Sequence, residues 1–246
     1  MKPVKMIFGI VLSAISLNIH AFMDDNSHEG ASRPIDYDTY IGGSYKQNWI
    51  KPKGEWKQLI PTAQSAFDVY LGWRFAPLLG IELGYEWTMR KPKSIVVPIG
   101  GIFMGVPNMT GQNILMTGRI RFKTAHADLN AFIPFRFDEI TPEGIVSIGV
   151  AGMNPCMQIT TEKSAIQARD EFSPQFTPIN GRSKAVLRVG LGLQTMVLES
   201  VGIRALWRFE NTSVLRFRNS VLVSSPGNRD IFHNSQSLSL GLFIKF

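Results

Sequence analysis

Three features of the 246-residue sequence predict an all-β fold, an eight-stranded antiparallel transmembrane up-and-down β-barrel with short periplasmic turns and long external loops. Apolar and polar residues alternate with a period of two along most of the chain, which is typical of strands with one apolar face. The connections between these segments are short and long in turn, as in outer-membrane barrels. Aromatic residues recur near the segment ends, where the two bilayer interfaces would lie.

The alternating segments define eight predicted strands. They cover residues 37–47, 65–76, 79–89, 115–137, 144–154, 184–196, 200–212 and 236–246. Most contain about the 9–11 residues that a tilted strand needs to cross a bilayer. The fourth strand is longer and is predicted to project beyond the membrane. Pro134 lies inside it and predicts a local irregularity, because proline cannot donate a hydrogen bond to the ladder.

The N-terminal residues predict a secretory signal peptide, residues 1–21. Lys2 and Lys5 precede an apolar segment, residues 6–17, and the predicted cleavage site follows Ala21. The apolar segment is too short to anchor the chain in a bilayer. Residues 22–36 are predicted to form a periplasmic leader, and residues 37–246 the outer-membrane barrel.

The charge and the cysteine count limit the possible functions. The 26 basic and 19 acidic residues give a net charge of +7, and loss of two lysines with the signal peptide leaves 24 against 19, or +5. This charge suits phosphate-bearing partners. No nucleic-acid partner is predicted. The glycine pairs Gly42-Gly43 and Gly100-Gly101 are not phosphate loops, because no strand-to-helix context follows them. Cys156 is the only cysteine, which excludes an intramolecular disulfide.

No cofactor and no metal site are predicted. His28 and Glu29, with Asp24 and Asp25, form the one group that suggests weak metal binding, and they are interpreted as part of a flexible leader.

If the apolar faces of the strands contact lipid, the opposite faces define the lumen. These faces carry a nearly balanced set of charged and polar side chains, with His126 and Asn130 among them. The predicted lumen network consists of Asp68, Tyr70, Arg74, Glu82, Glu86, Asp128, Arg136, Arg188, Arg204, Arg208, Glu210 and Lys245. The balance matters because an isolated charge in a narrow interior is costly, whereas paired charges are tolerated.

The turn at Leu78 predicts two pairs in this network. With regular register, Arg74 lies opposite Glu82, and Tyr70 lies opposite Glu86.

Arg188 and Arg204 are predicted to lie close together across the turn at residues 197–199. They would therefore need carboxylates from the third or fourth strand. The lumen of an eight-stranded barrel is just wide enough for side chains to fill. The prediction is a plugged, salt-bridged interior, and a narrow gated pore is the alternative.

The protein is predicted not to be an enzyme. Barrels that process acyl chains use serine and histidine near the outer rim, whereas here the residue two positions after His126 is Asp128. His126 is predicted to be a hydrogen-bonding group of the lumen or its rim.

Basic residues cluster in the predicted external loops. They are Lys46, Lys51, Lys53 and Lys57 in the first loop, Arg90, Lys91 and Lys93 in the second, and Arg216, Arg218 and Arg229 in the fourth. A basic outer rim is predicted to pair with lipopolysaccharide phosphates or with acidic glycans on a host surface. An ordinary solvated loop surface is the alternative.

Residues 95–109, IVVPIGGIFMGVPNM, are apolar although they belong to the second external loop. Three arrangements are compatible with the sequence. The segment folds over the barrel mouth, is buried in the outer leaflet, or lines the path of a hydrophobic ligand.

The last ten residues, SLSLGLFIKF, form a strictly alternating strand. In a closed barrel this strand pairs with the first strand and leaves no free edge. Leu242, Ile244 and Phe246 resemble the signal that outer-membrane barrels present to their assembly machinery. The resemblance implies that this machinery is a partner during biogenesis.

Four stretches resemble small eight-stranded outer-membrane barrels of Gram-negative bacteria, the OmpA-like and opacity-protein-like surface antigens. They are YDTYIGGSYKQ, FAPLLGIELGYEW, HADLNAFIPF and SLSLGLFIKF. The resemblance implies an outer-membrane location and a structural or interaction role. The OmpW-like barrels, a related group, imply the alternative of a small porin-like channel for ions or hydrophobic solutes.

Overall fold

The structure is a computed structural model that describes residues 38–103, 106–135, 141–163, 175–180, 183–216 and 231–246. The predicted signal peptide and leader lie outside these residues, as do Tyr37, Arg136, Arg218 and Arg229. Within the described ranges, no helix is long and apolar enough to cross a membrane.

The described residues form twelve strands, one short helix and one turn of 3-10 helix. The elements are β1 (Asp38–Trp49), α1 (Trp56–Leu59), β2 (Ala63–Ala76), β3 (Leu79–Thr88), β4 (Lys91–Val97), β5 (Ile102–Phe103), β6 (Val106–Pro107), β7 (Ile114–Pro134), β8 (Glu143–Lys163), β9 (Gln175–Asn180), β10 (Lys184–Met196), β11 (Val201–Glu210), the 3-10 turn (Thr212–Val214) and β12 (Ser235–Lys245).

Eight of these strands close into a ring. The order is β7, β3, β2, β1, β12, β11, β10 and β8, and β8 pairs back onto β7. Every neighbouring pair is antiparallel. The last strand pairs with the first over ten residue pairs, from Tyr40 opposite Lys245 to Trp49 opposite Gln236. The prediction of an eight-stranded antiparallel barrel is confirmed.

The side chains are distributed inside out relative to a water-soluble protein. Leu83 and Leu240, on the outer face, are 56% and 60% exposed, whereas Arg188 and Glu82, on the inner face, are 1% and 0% exposed. Soluble proteins bury the first kind of residue and keep the second in water. Because the outer face is apolar and the charges face inward, the ring is a transmembrane barrel.

Aromatic residues mark the two interfaces on the outer face. Tyr45, Phe67 and Trp87 form a row across three strands, with ring centroids 5.7 and 6.0 Å apart. Near the opposite end of β2, Trp73 and Phe75 are 5.9 Å apart. The first row lies towards the long loops and the second towards the short turns, as the strand directions predict.

One side of the barrel wall continues past the outer aromatic row. β7 and β8 each contain 21 residues, about twice the number that crosses a bilayer. β4 pairs with the outer part of β7, and β9 pairs with the outer part of β8. These four strands form the raised wall, β4–β7–β8–β9. β7 corresponds to the predicted fourth strand and projects beyond the membrane, as predicted. Residues 155–163, predicted as loop, belong to this wall.

Two prolines of the raised wall lie in strands where the sequence predicts loops. Pro155 lies where β8 changes partner, because pairing with β10 ends at Met153 and pairing with β9 begins at Cys156. Pro92 lies in β4, which forms the edge of the wall. Strand edges and interruptions are the places where strands tolerate proline. Pro134 is the last residue of β7, so the predicted irregularity is the end of the strand.

Apolar residues fill the outer end of the barrel. This outer cap combines inward-facing residues of β7 and β8 with residues from the long connections. The connecting residues in it are Ile50, Trp56, Leu59, Ile60, Phe103, Leu215, Ile231 and Phe232, with Val97 at the end of β4. The first and last connections are also joined, since Lys53 N donates to Ile231 O and His233 N donates to Lys51 O. The barrel mouth is therefore closed by packed side chains.

Candidate functional site

The interior below the outer cap contains a buried network of charges, the middle layer. Lys46 Nζ lies 2.7 Å from Glu86 Oε2 and 2.8 Å from Glu210 Oε1, and all three side chains are buried. Arg188 Nε lies 3.3 Å from the same oxygen of Glu210. One lysine and one arginine thus neutralise two carboxylates contributed by β3 and β11.

His126 joins a second part of the middle layer. Its Nε2 lies 2.9 Å from Asp68 Oδ1, and its Nδ1 lies 3.0 Å from Asp128 Oδ2. Arg208 lies between the same two carboxylates, 3.6 Å from Asp68 and 3.3 Å from Asp128. Arg188 approaches Asp128 to 3.7 Å. The four carboxylates of the layer therefore lie against three permanent cations and one imidazole, with all their side chains buried.

Gly149 makes room for the Asp128 carboxylate in the middle layer. A Cβ atom on Gly149, which lies opposite Asp128, would be 1.9 Å from Asp128 Oδ1 and 2.5 Å from the Ala127 carbonyl oxygen. Any larger residue would push Asp128 out of the middle layer.

The periplasmic end of the interior is closed by Arg204, which forms the inner layer. Its guanidinium lies 4.9 Å from the Tyr70 ring centroid and 5.4 Å from the rings of Tyr40 and Phe243. It donates hydrogen bonds to Glu82 and to Gln194 Oε1. Cation–π contact and charge-assisted hydrogen bonds together hold a buried arginine in place.

Polar contacts continue the inner layer towards the periplasmic rim. The Tyr40 hydroxyl donates to Glu82 Oε1 at 2.6 Å. Gln194 and Arg74 both donate to Glu143 Oε2, at 2.7 and 2.8 Å. The Arg74 guanidinium also lies 4.0 Å from the centroid of the Phe132 ring.

Both predicted pairs around Leu78 are wrong. Arg74 lies opposite Gly80, and Tyr70 lies opposite Gly84. Two features displace the pairing by one residue each: the two-residue turn places Ala76 opposite Leu79, and a register shift follows between Arg74 and Ala76. A bulge adds a residue to one strand, so every later pairing is displaced. The network therefore contains Asp68 opposite Glu86, two carboxylates that need cations from other strands.

The predicted proximity of Arg188 and Arg204 is also wrong. Arg188 lies opposite Glu210, and Arg204 lies opposite Gln194. Their carboxylate partners from the predicted third and fourth strands are Glu82 for Arg204 and Asp128 for Arg188.

Two lysines occupy positions that differ from their predicted roles. Lys46, predicted in the first external loop, is fully buried in the middle layer. Lys245, predicted in the lumen network, lies at the periplasmic rim with its side chain 40% exposed and pairs with Asp38 at 2.7 Å. Counting in steps of two from Tyr40 reaches Lys46 on the inward face, which is the signal that could have placed it.

Tyr40, Glu143, Gln194 and Phe243 are interior residues that the sequence did not single out. They are uncharged or lie at strand ends, so a search for charged side chains misses them.

The predicted external basic residues are mostly at the surface. Lys51, Lys57, Arg90, Lys91 and Arg216 are exposed, and Lys53 and Lys93 are half-buried. The Lys93 ammonium donates to the Lys57 carbonyl oxygen, which ties β4 to α1.

The structure adds a second basic group on the outer face of the raised wall. Arg119, Arg121 and Lys123 alternate along β7, with Arg119 and Lys123 exposed and Arg121 half-exposed. Lys123 lies opposite Trp87. These three side chains, the β7 stripe, therefore begin at the outer aromatic row and continue away from the bilayer. The alternation of bases in a predicted membrane strand was the signal for them.

In the described parts of the chain, no group of three or more His, Cys, Asp or Glu residues could hold a metal ion.

The ring of eight antiparallel strands, apolar outside and charged inside, decides the fold. The chain has the fold of the small outer-membrane β-barrels. No protein-family model and no curated protein matches the sequence.

Several solved barrels are similar in structure. Ail, the attachment invasion locus protein of Yersinia pestis, seen with the heparin analogue sucrose octasulfate, is 15% identical over 86% of this chain and 100% of Ail, with a TM-score of 0.44. Neisserial surface protein A is 12% identical over 85% of this chain and 97% of its own, with a TM-score of 0.46.

The outer membrane protein OprG from Pseudomonas aeruginosa is 12% identical over 86% of this chain and 97% of its own, with a TM-score of 0.45.

Proposed function

We propose that the protein is an outer-membrane surface protein with a structural or interaction role, and that its barrel conducts neither ions nor small solutes. The observation that carries this proposal is the filled interior. From the periplasmic side outwards, the inner layer around Arg204, the middle layer around His126 and the apolar outer cap follow one another. An ion crossing the barrel would have to part all three layers.

The energetics of the layers support closure. Charges are tolerated in a narrow interior because each has partners, and separating a buried pair leaves an uncompensated charge. The outer cap adds a dry apolar obstacle beyond the charges. A small porin-like channel, for ions or hydrophobic solutes, remains the alternative that the conductance experiment below distinguishes.

The proposal includes the absence of catalysis. His126 lies in the interior, and its two ring nitrogens lie against the carboxylates of Asp68 and Asp128. It is buried below the outer cap, so a lipid substrate does not reach it. No serine hydrogen-bonds to it among the described residues.

Export and insertion are part of the same proposal. Residues 1–21 would direct the chain across the inner membrane and be removed. Leu242 and Ile244 project from the outer face of β12 and are exposed, as is Phe246. These three residues are therefore available to the barrel-assembly machinery before the barrel meets lipid.

We expect wild-type protein in planar lipid bilayers to give no stable unitary currents, because the three interior layers block the path. Arg204→Ala should also give no stable currents, since it opens only the inner layer and leaves the middle layer and the outer cap in place. Lys51→Ala, which changes an exposed external lysine, is the control and should behave like the wild type. Stable wild-type currents that change in Arg204→Ala or Glu86→Gln would establish the channel instead.

The external surface supports the interaction role. The β7 stripe starts level with Trp87, where the headgroups of the outer leaflet begin, and carries three positive charges over five residues. Lipopolysaccharide carries phosphates at this level, and arginine binds phosphate oxygens in a bidentate manner. We therefore assign lipid phosphates to the β7 stripe, and acidic glycans of lipopolysaccharide or a host surface to the basic loop residues.

We expect the triple variant Arg119→Ser, Arg121→Ser, Lys123→Ser to bind lipopolysaccharide more weakly, by about 1 kcal/mol per residue at low salt. Calorimetric titration of the protein in nanodiscs with lipid A measures this loss, which should shrink at high salt. Lys245→Ser, which removes a charge at the periplasmic rim, is the control. Equal affinity of the triple variant and the wild type would contradict contact through the β7 stripe.

A further inference from the structure

The second external loop ends in an apolar tip. Beyond the raised pair β4–β7, the chain forms a small hairpin in which β5 pairs with β6. Ile99, Ile102 and Met109 project from this hairpin tip and are 61%, 69% and 84% exposed. Soluble surfaces rarely group large apolar side chains in this way without a partner.

The tip and the strands that lead to it carry no charge. Residues 94–118 contain no Asp, Glu, Lys or Arg. The nearest bases, Lys93 and Arg119, lie about halfway up the raised wall, since Arg119 is four residues from Lys123 and five from Ile114. A partner of the tip therefore meets an uncharged, mainly apolar surface on which Thr110 and Asn113 are also exposed.

The polar groups of the tip are paired with one another. The Asn108 side chain, which is buried, donates to the carbonyl oxygens of Val97, Pro98 and Gln112 at 2.8–3.1 Å. Its Oδ1 accepts hydrogen bonds from the backbone N–H and the hydroxyl of Thr110. Asn108 thus connects both sides of the hairpin.

Three backbone N–H groups among the described residues of the tip are paired in the same way. Gly100 N donates to Asn108 O, Asn108 N donates to Gly101 O, and Ile99 N donates to Asn113 Oδ1. Gly100 has a φ of 69°, which L side chains rarely adopt, so the turn requires glycine there.

The tip is also anchored from below. Val97 and Phe103 are buried in the outer cap, next to the exposed side chains of the tip. The tip is consequently preorganised, and its ordering costs little when it meets a partner.

Internal hydrogen bonding and an apolar exterior are what entry into lipid requires. In a bilayer, every backbone polar group must find its partner within the protein. A protein–protein interface, by contrast, carries about one intermolecular hydrogen bond per 100–200 Å², and the paired groups of this tip offer few. The observations therefore favour a lipid surface as the occupant.

The height of the tip above the surrounding membrane decides which bilayer it can contact. Lys123 is level with the outer aromatic row, and β7 continues for nine residues to Ile114 before the tip begins. At roughly 3.3 Å per residue and a tilt of about 40°, the tip lies roughly 20 Å above the surrounding membrane. The apolar side chains do not reach the acyl chains around the barrel.

We propose that the hairpin tip inserts Ile99, Ile102 and Met109 into a second lipid bilayer that faces the external loops. The inference rests on the proposed outward orientation of these loops. Insertion does not depend on lipid headgroup charge, because the tip itself is uncharged.

The experiment uses full-length protein in nanodiscs mixed with phosphatidylcholine vesicles. Wild-type nanodiscs should float with the vesicles in a density gradient. The triple variant Ile99→Ser, Ile102→Ser, Met109→Ser should bind at least about 1,000-fold more weakly, since three side chains lose their transfer free energy. Val197→Ser, Leu198→Ser, which changes two exposed apolar residues in the opposite turn, should bind like the wild type.

A second measurement locates the tip. In Ile102→Trp, brominated lipid placed only in the vesicles should quench the added tryptophan fluorescence, and brominated lipid placed only in the nanodisc should not. The single variant Met109→Ser provides a milder change should the triple variant fold poorly, and heat-modifiable gel migration monitors folding.

Three results would overturn the proposal. They are absence of wild-type flotation, equal flotation of folded tip variants, and quenching only from the nanodisc lipid. Because conductance and lipid A binding are measured without vesicles, failure here leaves those tests of the proposed function independent.

Discussion

Lys46→Met is expected to destabilise the barrel by roughly 3–5 kcal/mol, the usual cost of removing one partner from a buried ion pair. Lys46 is the cation that contacts Glu86 and Glu210 at 2.7 and 2.8 Å. Without it, Arg188 at 3.3 Å is the nearest remaining cation for Glu210, and Glu86 loses its ion pair. Guanidinium unfolding of the refolded protein in lipid vesicles, followed by tryptophan fluorescence, measures the change.

Two variants test whether burial of the charge is the cause. Lys51→Met removes an exposed lysine five residues away and should change the free energy of unfolding by less than about 0.5 kcal/mol. Lys46→Met combined with Glu86→Gln and Glu210→Gln removes the carboxylate charges as well and should recover much of the lost stability. Similar midpoints for Lys46→Met and Lys51→Met would refute the buried position of Lys46.

Trp56→Ala is expected to loosen the outer cap by about 3–5 kcal/mol, the range for deleting a large buried aromatic side chain. Trp56 is 1% exposed and belongs to the outer cap. Hydrogen–deuterium exchange should accelerate strongly in residues 50–62. Exchange in the periplasmic half of β11 and β12 should change little, because the backbone hydrogen bonds between these strands do not depend on the outer cap.

Lys57→Ala is the matched control for this variant. It changes an exposed side chain on the same helix and keeps the carbonyl that accepts the hydrogen bond from Lys93. Its exchange pattern should resemble that of the wild type. Unchanged exchange of residues 50–62 in Trp56→Ala would show that the cap does not depend on this side chain.

The ring could be predicted from the sequence because period-two alternation fixes which face each residue occupies. Leu240 and Leu242 on one face and Arg204 and Glu82 on the other follow from counting alone. The predicted closure of β12 onto β1 follows from the need to pair both edges. These predictions depend on the strand phase, which local sequence determines.

Pairing partners could not be predicted in the same way. The register shift at Arg74 and Ala76 leaves no clear trace in the sequence. Together with the two-residue turn, it places Arg74 opposite Gly80 instead of Glu82. The charges then find partners across the lumen, as Arg204 does with Glu82, over 122 residues of sequence. Such contacts depend on the closed ring and not on neighbouring residues.

The raised wall was predicted only in part. Buried and exposed residues continue to alternate in the part of β7 beyond the membrane, because its inward residues, such as Ile120 and Phe122, pack in the outer cap. Pro92 and Pro155 predict loops, although Pro92 lies in the edge strand β4 and Pro155 lies where β8 changes partner from β10 to β9. Lys46 lies within the predicted first strand, residues 37–47, and on its inward face, so alternation places it in the interior and its assignment to the first external loop is wrong.

The long pair β7–β8 has a mechanical consequence. Twenty-one successive residue pairs join the two strands, from Pro134 opposite Glu143 to Ile114 opposite Lys163. The hydrogen bonds of an antiparallel ladder run perpendicular to the strands. Tension applied to the outer end therefore shears many bonds at once, instead of peeling them apart singly. The wall is suited to carry a load from the cell exterior down to the bilayer.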